Sequence, residues 1–293
     1  MRLLVTGATG FLGWRVAAVL EERGHEVVRL GRPGGVERAH AAGEEVVRVD
    51  AGDPAARELV RGCAAVLHFA GVPDPAGARR DPARAVRENA GTTLNLLEAC
   101  AEHDAALVYP STVRAAIDPP PDEYAISKRL GEEVCRLHRA PAAVVRLTSV
   151  FGPGQVAWEG ATGAIASFAA RALAGERITI PGNPQRTRDF VYVDDLALAV
   201  ERVVVDEAWG ETLTLASGVA TPLLRAAELV VDAVGTDTPI ETPGGELPPG
   251  EDESYAAPDG SASELAVRPL EEAIPLYVDW LRRHPAAEGR TRG

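Results

Sequence analysis

The chain has 293 residues, of which 46% are hydrophobic and 25% charged, and its formal net charge is −13. This length predicts one large domain or two closely joined ones. The negative charge argues against a nucleic-acid partner, because binding to phosphates requires a basic face.

The sequence shows no targeting or membrane signal. No apolar run reaches the roughly 18 residues of a membrane helix, and the N-terminal residues MRLLVTGATG lack a signal-peptide core. Cys63, Cys100 and Cys135 have no CxxC spacing, which argues against a disulfide framework and against a metal site. We therefore expect a cytoplasmic protein with neither a membrane partner nor a bound metal.

The first half of the sequence alternates short apolar runs with segments of helical periodicity. The predicted strands are 2–7, 25–31, 44–50, 64–71, 105–112 and 142–150, and the predicted helices are 13–24, about 82–102 and 122–139. Strands that alternate with helices of this length form βαβ units and a parallel sheet. The sequence thus predicts an α/β fold with a Rossmann-type doubly wound parallel sheet.

The pattern is less regular after residue 150. We expect residues 1–150, together with about 186–216, to form the Rossmann domain. A smaller, mostly C-terminal substrate-binding domain is expected from about 151–185 and 217–270. A helix over 271–284, which its internal Pro275 should kink, and a frayed tail over 285–293 complete the prediction.

Three glycines follow the first predicted strand and open the first helix. Gly7, Gly10 and Gly13 have the spacing GxxGxxG. Glycines at this position allow a tight turn and bring the backbone close to a pyrophosphate, which the helix N-terminus stabilises. The second predicted strand ends in Gly31-Arg32 with no acid in the turn, and an arginine there accommodates the 2′-phosphate of NADP. We expect NADP as the cofactor, with NAD possible.

The only lysine of the chain, Lys128, stands four residues after Tyr124 on a predicted helix. The two side chains therefore lie on one face, one turn apart. A nearby ammonium favours the phenolate form of a tyrosine, whose reference pKa is about 10. Arginine stays charged and has a broad flat head, so it cannot replace lysine in a proton relay.

The sequence resembles the extended short-chain dehydrogenases/reductases, in particular the group of nucleotide-sugar epimerases, dehydratases and ketoreductases. The resemblance covers nearly the whole chain. It rests on TGATGFLG (6–13), VRVDAGD (47–53), VLHFAG (66–71), ENAGTTLNLLEAC (88–100), YPST (109–112), YAISK (124–128), RLTSVFGPGQ (146–155) and RDFVYVDDLA (188–197).

The resemblance implies roles for individual residues. Tyr124 matches the catalytic acid/base, Lys128 its partner, and Thr112 the hydroxyl that holds the substrate oxygen. The positions that match further substrate contacts are Ser111, Ser149 and Arg188, the last as a diphosphate ligand. The positions that match cofactor contacts, besides Tyr124 and Lys128, are Gly7, Gly10, Phe11, Leu12, Gly13, Arg32, Asp50, Ala51, Phe69, Ala70 and Gly71.

Three further polar positions stand in the resembling motifs. Asn89 matches an asparagine of the central helix, where packing or capping and direct contact both remain open. Asp194 and Asp195 match a structural helix start, where an acid caps free N–H groups.

The sequence departs from the family pattern in four features. The loop between the threonine strand and the tyrosine helix is short, and Val113-Arg114 replaces the Asp-Glu pair of the 4,6-dehydratases, which disfavours dehydration. Ser149 replaces the usual asparagine. The acidic stretch 250–260 stands where family members often supply a second arginine.

The chemistry implied by the resemblance is hydride transfer at a sugar C4. We expect an NADP-dependent ketoreductase of a nucleotide-activated 4-keto sugar, acting as a homodimer through the helices near 82–102 and 122–139. The alternatives are an NAD(P)-dependent nucleotide-sugar 4-epimerase, a reductase of a non-nucleotide ketone, and a non-catalytic NADP-sensing regulator.

Overall fold

The structure is a computed structural model that describes residues 1–35, 43–247 and 267–290. The acidic stretch 250–260 lies outside the described residues. Within the described ranges, no helix is both long and apolar enough to cross a bilayer.

The strands follow one another through both halves of the chain. They are β1 Arg2–Thr6, β2 Glu26–Gly31, β3 Val47–Arg48, β4 Ala65–His68, β5 Ala106–Thr112, β6 Ala142–Leu147, β7 Ser149–Phe151, β8 Ile178–Pro181, β9 Thr187–Arg188, β10 Phe190–Tyr192, β11 Thr212–Leu215, β12 Thr221–Pro222 and β13 Ile240–Gly244. The helices are α1 Phe11–Glu22, α2 Pro75–Arg80, α3 Pro82–Val86, α4 Thr92–Glu102, α5 Glu123–Leu137, α6 Ala164–Ala174, α7 Val193–Val205, α8 Leu223–Val234 and α9 Leu270–Arg282.

The chain divides into two compact units. The described residues of the first unit are 1–35, 43–147 and 196–215, and those of the second are 148–195, 216–247 and 267–290. Within the described residues, the chain passes from one unit to the other after Leu147, after Asp195 and after Leu215; the domain limits expected from the sequence remain predictions.

The first unit is built on a seven-stranded sheet in the order β3-β2-β1-β4-β5-β6-β11. Every paired neighbour runs parallel, and β4 and β5 are buried along their whole length. Apolar runs buried on both faces are typical of parallel sheets covered by helices. The predicted α/β fold with a Rossmann-type parallel sheet is confirmed.

The strand order reverses between β1 and β4. The chain moves outward from β1 to β3 and then returns to the other side of β1 as β4. In open parallel sheets, ligands bind at the carboxyl ends of the strands next to such a reversal. The glycine loop after β1 and residues 69–71 after β4 lie at this point.

Two predicted elements differ in detail from the structure. The strand expected over 142–150 divides at Thr148: β6 belongs to the large sheet, whereas β7 pairs with β10 in the second unit. The helix expected near 82–102 contains a π turn over Arg87–Gly91. The carbonyl of Asn89 in this turn accepts hydrogen bonds from the hydroxyls of Thr93 and Tyr109, at 2.8 and 2.9 Å.

The second unit combines short strand pairs with α6, α8 and α9. The pairs are β7–β10, β8–β13 and β9–β12. The ring of Phe151 contacts Phe190, Tyr192 and Tyr277 edge-on, with ring centres 5.7 to 6.3 Å apart, an arrangement that aromatic pairs prefer. Although a frayed tail is expected from residue 285, Pro285–Ala287 forms a short 3₁₀ helix and Ala287 is buried.

Candidate active site

The glycine loop packs directly against the end of β4. Gly7 has φ +67°, and a Cβ atom there would lie 2.7 Å from the backbone of Phe69 and Ala70. Only glycine accommodates both the backbone angle and this contact. The turn continues with a hydrogen bond from the N–H of Gly10 to the carbonyl of Gly7 at 2.8 Å. The structure thus brings the predicted cofactor residues of both loops together.

The first turn of α1 suits an anionic ligand. Its N-cap is Gly10, no side chain caps the helix, and no acid stands in the first turn. The first N–H groups of a helix need acceptors, and the helix dipole favours negative charge there. The residues present therefore fit the pyrophosphate of a nicotinamide dinucleotide.

Two arginines lie at the end of β2. Arg32 is exposed in the turn that the Gly35 N–H closes onto the Arg32 carbonyl at 3.2 Å. Arg48 of β3 pairs with Gly31, and its Nη1 atom lies 3.5 Å from the place of a Gly31 Cβ. Sequence reasoning missed Arg48, because only the pairing of β3 with β2 brings it to this strand end.

The other predicted cofactor residues beyond β3 have local roles in the backbone. The Asp50 carboxylate accepts the N–H of Gly52 at 2.8 Å. The carbonyl of Ala51, a buried residue, accepts a hydrogen bond from the amide of Asn95 at 3.0 Å. Their contacts with a cofactor remain predictions.

His68, at the end of β4, is a buried polar residue that sequence reasoning missed. Its Nδ1 atom lies 2.8 Å from the Thr6 hydroxyl oxygen, which also accepts the Ala70 N–H at 3.1 Å. Burial, together with the charge of Lys128, lowers the pKa of His68 to about 3. His68 is therefore neutral at physiological pH, and with Thr6 it fixes the backbone at Ala70.

The predicted tyrosine lies in the first turn of α5. The side chain of Asp122 caps this helix by accepting the Ala125 N–H at 2.8 Å. Tyr124 is half-buried and packs against the small cluster of Val72, Ala78 and Ala85.

Lys128 lies one turn further along α5 and is held by β5. Its Nζ atom donates to the carbonyl of Pro110 at 2.9 Å and lies 4.9 Å from the ring centre of Tyr109. Burial lowers the pKa of Lys128 to about 8, although the carboxylate of Glu132 acts in the opposite direction. The amine is thus still mostly charged near pH 7 but close enough to its pKa to exchange protons.

The predicted hydroxyl residues Ser111 and Thr112 end β5. The Thr112 oxygen accepts the Arg114 N–H at 3.3 Å, so its hydrogen remains available to a substrate oxygen. The Ser111 hydroxyl donates to Glu132 at 2.5 Å, and Arg146 binds the same carboxylate through two nitrogens at 2.6 and 3.0 Å. Substrate contact by Ser111 remains a prediction.

Asn89 joins the π turn to two neighbouring segments. Its Oδ1 accepts the N–H of Val72 at 2.9 Å, and its Nδ2 donates to the Ser127 hydroxyl at 2.9 Å. Val72 follows the loop at Gly71, and Ser127 precedes Lys128. Asn89 therefore orders the protein framework around the tyrosine helix.

The remaining predicted substrate residues lie in the second unit. Arg188 in β9 pairs with Thr221 in β12, and its Nη1 donates to the Thr187 carbonyl at 2.8 Å. Ser149 in β7 donates its N–H to the carbonyl of Asp189 at 2.9 Å. Both of these contacts lie within the second unit. Contact of Arg188 and Ser149 with a substrate remains a prediction.

The carboxylate of Asp189 anchors the backbone next to Arg188. Asp189 is fully buried and accepts from the N–H and hydroxyl of Ser217 and from the N–H of Gly218, at 2.8 to 2.9 Å. No local feature of the sequence identifies these partners, because Ser217 and Gly218 lie 28 and 29 residues further along the chain.

A family comparison agrees with this geometry. Residues 3–213 match the model of the NAD dependent epimerase/dehydratase family. The chain belongs to this family. The resemblance seen in the sequence is thereby confirmed, and so is the prediction of an enzyme.

Relatives in this family carry different activities. The chain is 27% identical to a dTDP-4-dehydro-6-deoxy-D-allose reductase of Streptomyces bikiniensis, over 96% of each chain. It is 28% identical to a UDP-glucose 4-epimerase of Mycolicibacterium smegmatis, over 80% of this chain and 83% of the relative. A solved Thermus thermophilus UDP-glucose 4-epimerase in complex with NAD is 26% identical, with a TM-score of 0.79 over 97% of this chain and 99% of the other.

As a member of the NAD dependent epimerase/dehydratase family, the protein is an enzyme. At the predicted catalytic positions the chain has the phenol of Tyr124, the amine of Lys128 and the hydroxyl of Thr112. Among the described residues, no three His, Cys, Asp or Glu side chains gather as a set of metal ligands. The catalytic roles of Tyr124, Lys128 and Thr112 remain predictions.

Proposed function

We propose that the protein is an NADP-dependent ketoreductase that acts on a nucleotide-activated 4-keto sugar. The observation that carries this choice is the pair of guanidinium groups at the end of β2, on Arg32 and Arg48, in a turn without an acid. A guanidinium binds phosphate through two parallel hydrogen bonds, whereas an acid at this position would bind the free ribose 2′-hydroxyl. A site that selects NADP in this way suits a reductase, which oxidises one molecule of NADPH in each turnover.

The proposed catalytic steps use three side chains of the protein. Thr112 donates its hydroxyl to the substrate carbonyl oxygen and orients it, while Tyr124 transfers a proton to the same oxygen. Lys128 favours the phenolate that results and participates in returning a proton to it. When bound, the nicotinamide supplies the hydride at its C4 atom.

Two features support a nucleotide-activated sugar as the substrate. The Streptomyces bikiniensis relative, which matches over 96% of each chain, is named a reductase of a dTDP-linked 4-dehydro sugar. Arg188 matches the family arginine for a diphosphate, and the buried Asp189 next to it holds the backbone of this strand in place. A planar guanidinium suits a pair of phosphates.

A 4-epimerase is the second candidate. The relative from Mycolicibacterium smegmatis and the solved Thermus thermophilus structure, both UDP-glucose 4-epimerases, favour it. An epimerase retains its cofactor and returns the hydride to the other face of the same carbon, using the same tyrosine. The two candidates therefore differ in whether the cofactor is consumed.

The experiment measures the cofactor first and turnover second. The purified protein is denatured and the released nucleotide is identified, and NADPH oxidation is then followed with dTDP- and UDP-linked 4-keto sugars. A reductase binds NADPH reversibly and oxidises one equivalent for each sugar reduced, and the Tyr124→Phe variant serves as the inactive control. Tightly retained NAD without net NADPH oxidation would reject the reductase and support the epimerase.

We also propose a homodimer through α4 and α5. Ile126 and Leu130 lie one turn apart on α5, Leu137 on the same helix is 73% exposed, and Leu94 of α4 is exposed as well. A stripe of exposed apolar side chains at helical spacing is typical of a surface that another helix covers. The Leu130→Glu variant should then elute as a monomer in size-exclusion chromatography with light scattering, whereas Leu276→Glu, an exposed leucine of α9, should not change the mass.

A further inference from the structure

The loop that joins the two predicted catalytic segments is short and internally bonded. It runs from Thr112 at the end of β5 to Glu123 at the start of α5, and its first residues form the 3₁₀ helix Val113–Ala116. Arg114, in the position that departs from the dehydratase pattern, is only 8% exposed. A long charged side chain is seldom buried without a specific partner.

Arg114 contacts both ends of this loop. Its backbone N–H donates to the hydroxyl oxygen of Thr112 at 3.3 Å. Its guanidinium donates to one carboxylate oxygen of Asp122. The other carboxylate oxygen of Asp122 accepts the N–H of Ala125 at 2.8 Å. A continuous series of contacts therefore runs from the Thr112 hydroxyl to the helical turn that contains Tyr124.

Both side chains of the ion pair are buried. The side chains of Arg114 and Asp122 are 10% and 6% exposed. Removing one partner of such a pair leaves the other charge buried without compensation, so each residue holds the other in place. The exposed ion pair between Arg136 and Glu133 on α5 lacks this constraint.

A second arginine holds the middle of the loop. Arg129 of α5 donates from Nε to the Ala115 carbonyl at 2.7 Å and from Nη2 to the carbonyl of Ile117. Arg129 follows Lys128 directly, so the loop is bonded to α5 at its first and second turns. The loop backbone therefore has two attachments, and the one at Arg114 reaches the helix turn with Tyr124.

We infer that Arg114 and Asp122 are positioning residues that set the spacing between the hydroxyls of Thr112 and Tyr124. The inference rests on the proposed function, in which both hydroxyls contact one substrate oxygen. Since a displacement of about 1 Å in a reacting geometry can lower a rate about 100-fold, a rigid link across this loop has a direct effect on turnover.

Three variants separate positioning from general stability. Arg114→Gln removes both the positive charge and the planar guanidinium group, whereas Arg114→Lys keeps the charge but not the guanidinium group. Asp122→Asn removes the charge but keeps a residue that caps helices well. Arg136→Gln, which breaks the exposed pair with Glu133 on the same helix, is the matched control.

We expect kcat to fall about 10- to 100-fold in Arg114→Gln and Asp122→Asn. The KM for the 4-keto sugar nucleotide and the Kd for NADPH should stay within about threefold, because the groups that bind them are unchanged. Arg114→Lys should recover at least part of the loss, and Arg136→Gln should match the wild type. Hydrogen–deuterium exchange should speed up in the peptide over 113–126 and stay unchanged in β6.

The exchange measurement does not depend on turnover. If the wild type turns over no sugar nucleotide, the proposed function is wrong. Faster exchange over 113–126 in Arg114→Gln and Asp122→Asn would then still support the structural link between Thr112 and the first turn of α5. Normal kcat in folded Arg114→Gln and Asp122→Asn overturns the inference, and so does unchanged exchange over 113–126. If all three variants fail to fold, the pair is a determinant of folding and the positioning role is wrong.

Discussion

Lys128 donates a hydrogen bond from its Nζ atom to the backbone carbonyl of Pro110, at 2.9 Å. This bond attaches the second turn of α5 to β5 two residues before Thr112. The lysine is buried here, with only 8% of its surface exposed. A compact ammonium fits such a site, whereas the broad guanidinium has five donors to satisfy. This contact gives a physical reason why the chain has its single lysine here.

The amine of Lys128 should titrate well below that of an ordinary lysine. Burial lowers its pKa to about 8, against a reference value of about 10.4. The rate of acetylation by acetic anhydride should therefore reach half its plateau near pH 8, as measured by mass spectrometry of the peptide around Lys128. A lysine introduced by Arg136→Lys on the exposed face of α5 serves as the reference amine; identical pH profiles for the two amines would contradict the prediction.

Tyr124→Phe should abolish turnover and leave cofactor binding intact. Loss of a positioned acid/base group lowers kcat by about 10²- to 10⁴-fold, while the ring still packs against Val72, Ala78 and Ala85. Steady-state NADPH oxidation gives kcat, and quenching of NADPH fluorescence gives the Kd, which should stay within about twofold. The control is Tyr277→Phe, which removes the buried hydroxyl that donates to the Gln155 carbonyl in the second unit. Near-normal turnover of Tyr124→Phe would show that another group transfers the proton.

The features that the sequence predicted well are local ones. Gly7, Gly10 and Gly13 form one strand–turn–helix segment, and Tyr124 and Lys128 are one helical turn apart. The parallel sheet is likewise predictable, because each strand and helix has its own hydrophobic period.

The features that the sequence missed join distant segments. His68 meets Thr6 across 62 residues, and Asp189 meets Ser217 across 28. Arg48 reaches the end of β2 only because β3 pairs with it. Such contacts depend on strand order and register, which no spacing in a single sequence specifies.

His68 should make the protein less stable in acid. Its pKa is lowered to about 3 by burial and by the charge of Lys128, whereas an unfolded histidine has a pKa of about 6.5. The unfolded chain therefore binds a proton that the folded chain refuses. The associated stability is complete above about pH 6.5 and is lost as the pH falls towards 3, by about 2 kcal/mol at pH 5.

Urea unfolding between pH 7 and 4.5 measures this dependence. The His68→Gln variant cannot take up the proton, so its free energy of unfolding should vary less with pH than that of the wild type. His138→Gln, at a half-buried histidine near the end of α5, is the control. Parallel curves for wild type and His68→Gln would mean that this histidine is not the acid-sensitive group.

Arg32 and Arg48 should select NADP over NAD. Removing one guanidinium from the end of β2 takes away a charged hydrogen bond to the 2′-phosphate, which NAD does not have. Arg32→Ala and Arg48→Ala should each weaken NADPH binding about 10-fold and NADH binding less than about twofold. Fluorescence titration with both nucleotides tests this, with the exposed Arg61→Ala as control; equal losses for the two nucleotides would exclude these arginines as the 2′-phosphate site.

Gly131 should be intolerant of alanine because of how closely α5 approaches β5. A Cβ atom at Gly131 would lie 2.3 Å from the Tyr109 hydroxyl and 2.7 Å from the Asn89 carbonyl oxygen. These two groups are hydrogen-bonded to each other and fully enclosed, so neither can move without loss. Gly131→Ala should lower the free energy of unfolding by about 1–3 kcal/mol, as overpacking of a core does.

Gly91 provides the opposite case on a neighbouring helical segment. Nothing lies within 4 Å of its Cβ position, and its φ of −64° is that of an ordinary helix. Gly91→Ala should therefore leave stability unchanged or raise it by up to about 1 kcal/mol, because alanine loses less backbone entropy than glycine. Urea unfolding of both variants compares the two sites directly. A Gly131→Ala variant as stable as Gly91→Ala would mean that Tyr109 and Asn89 move to accommodate the added methyl group.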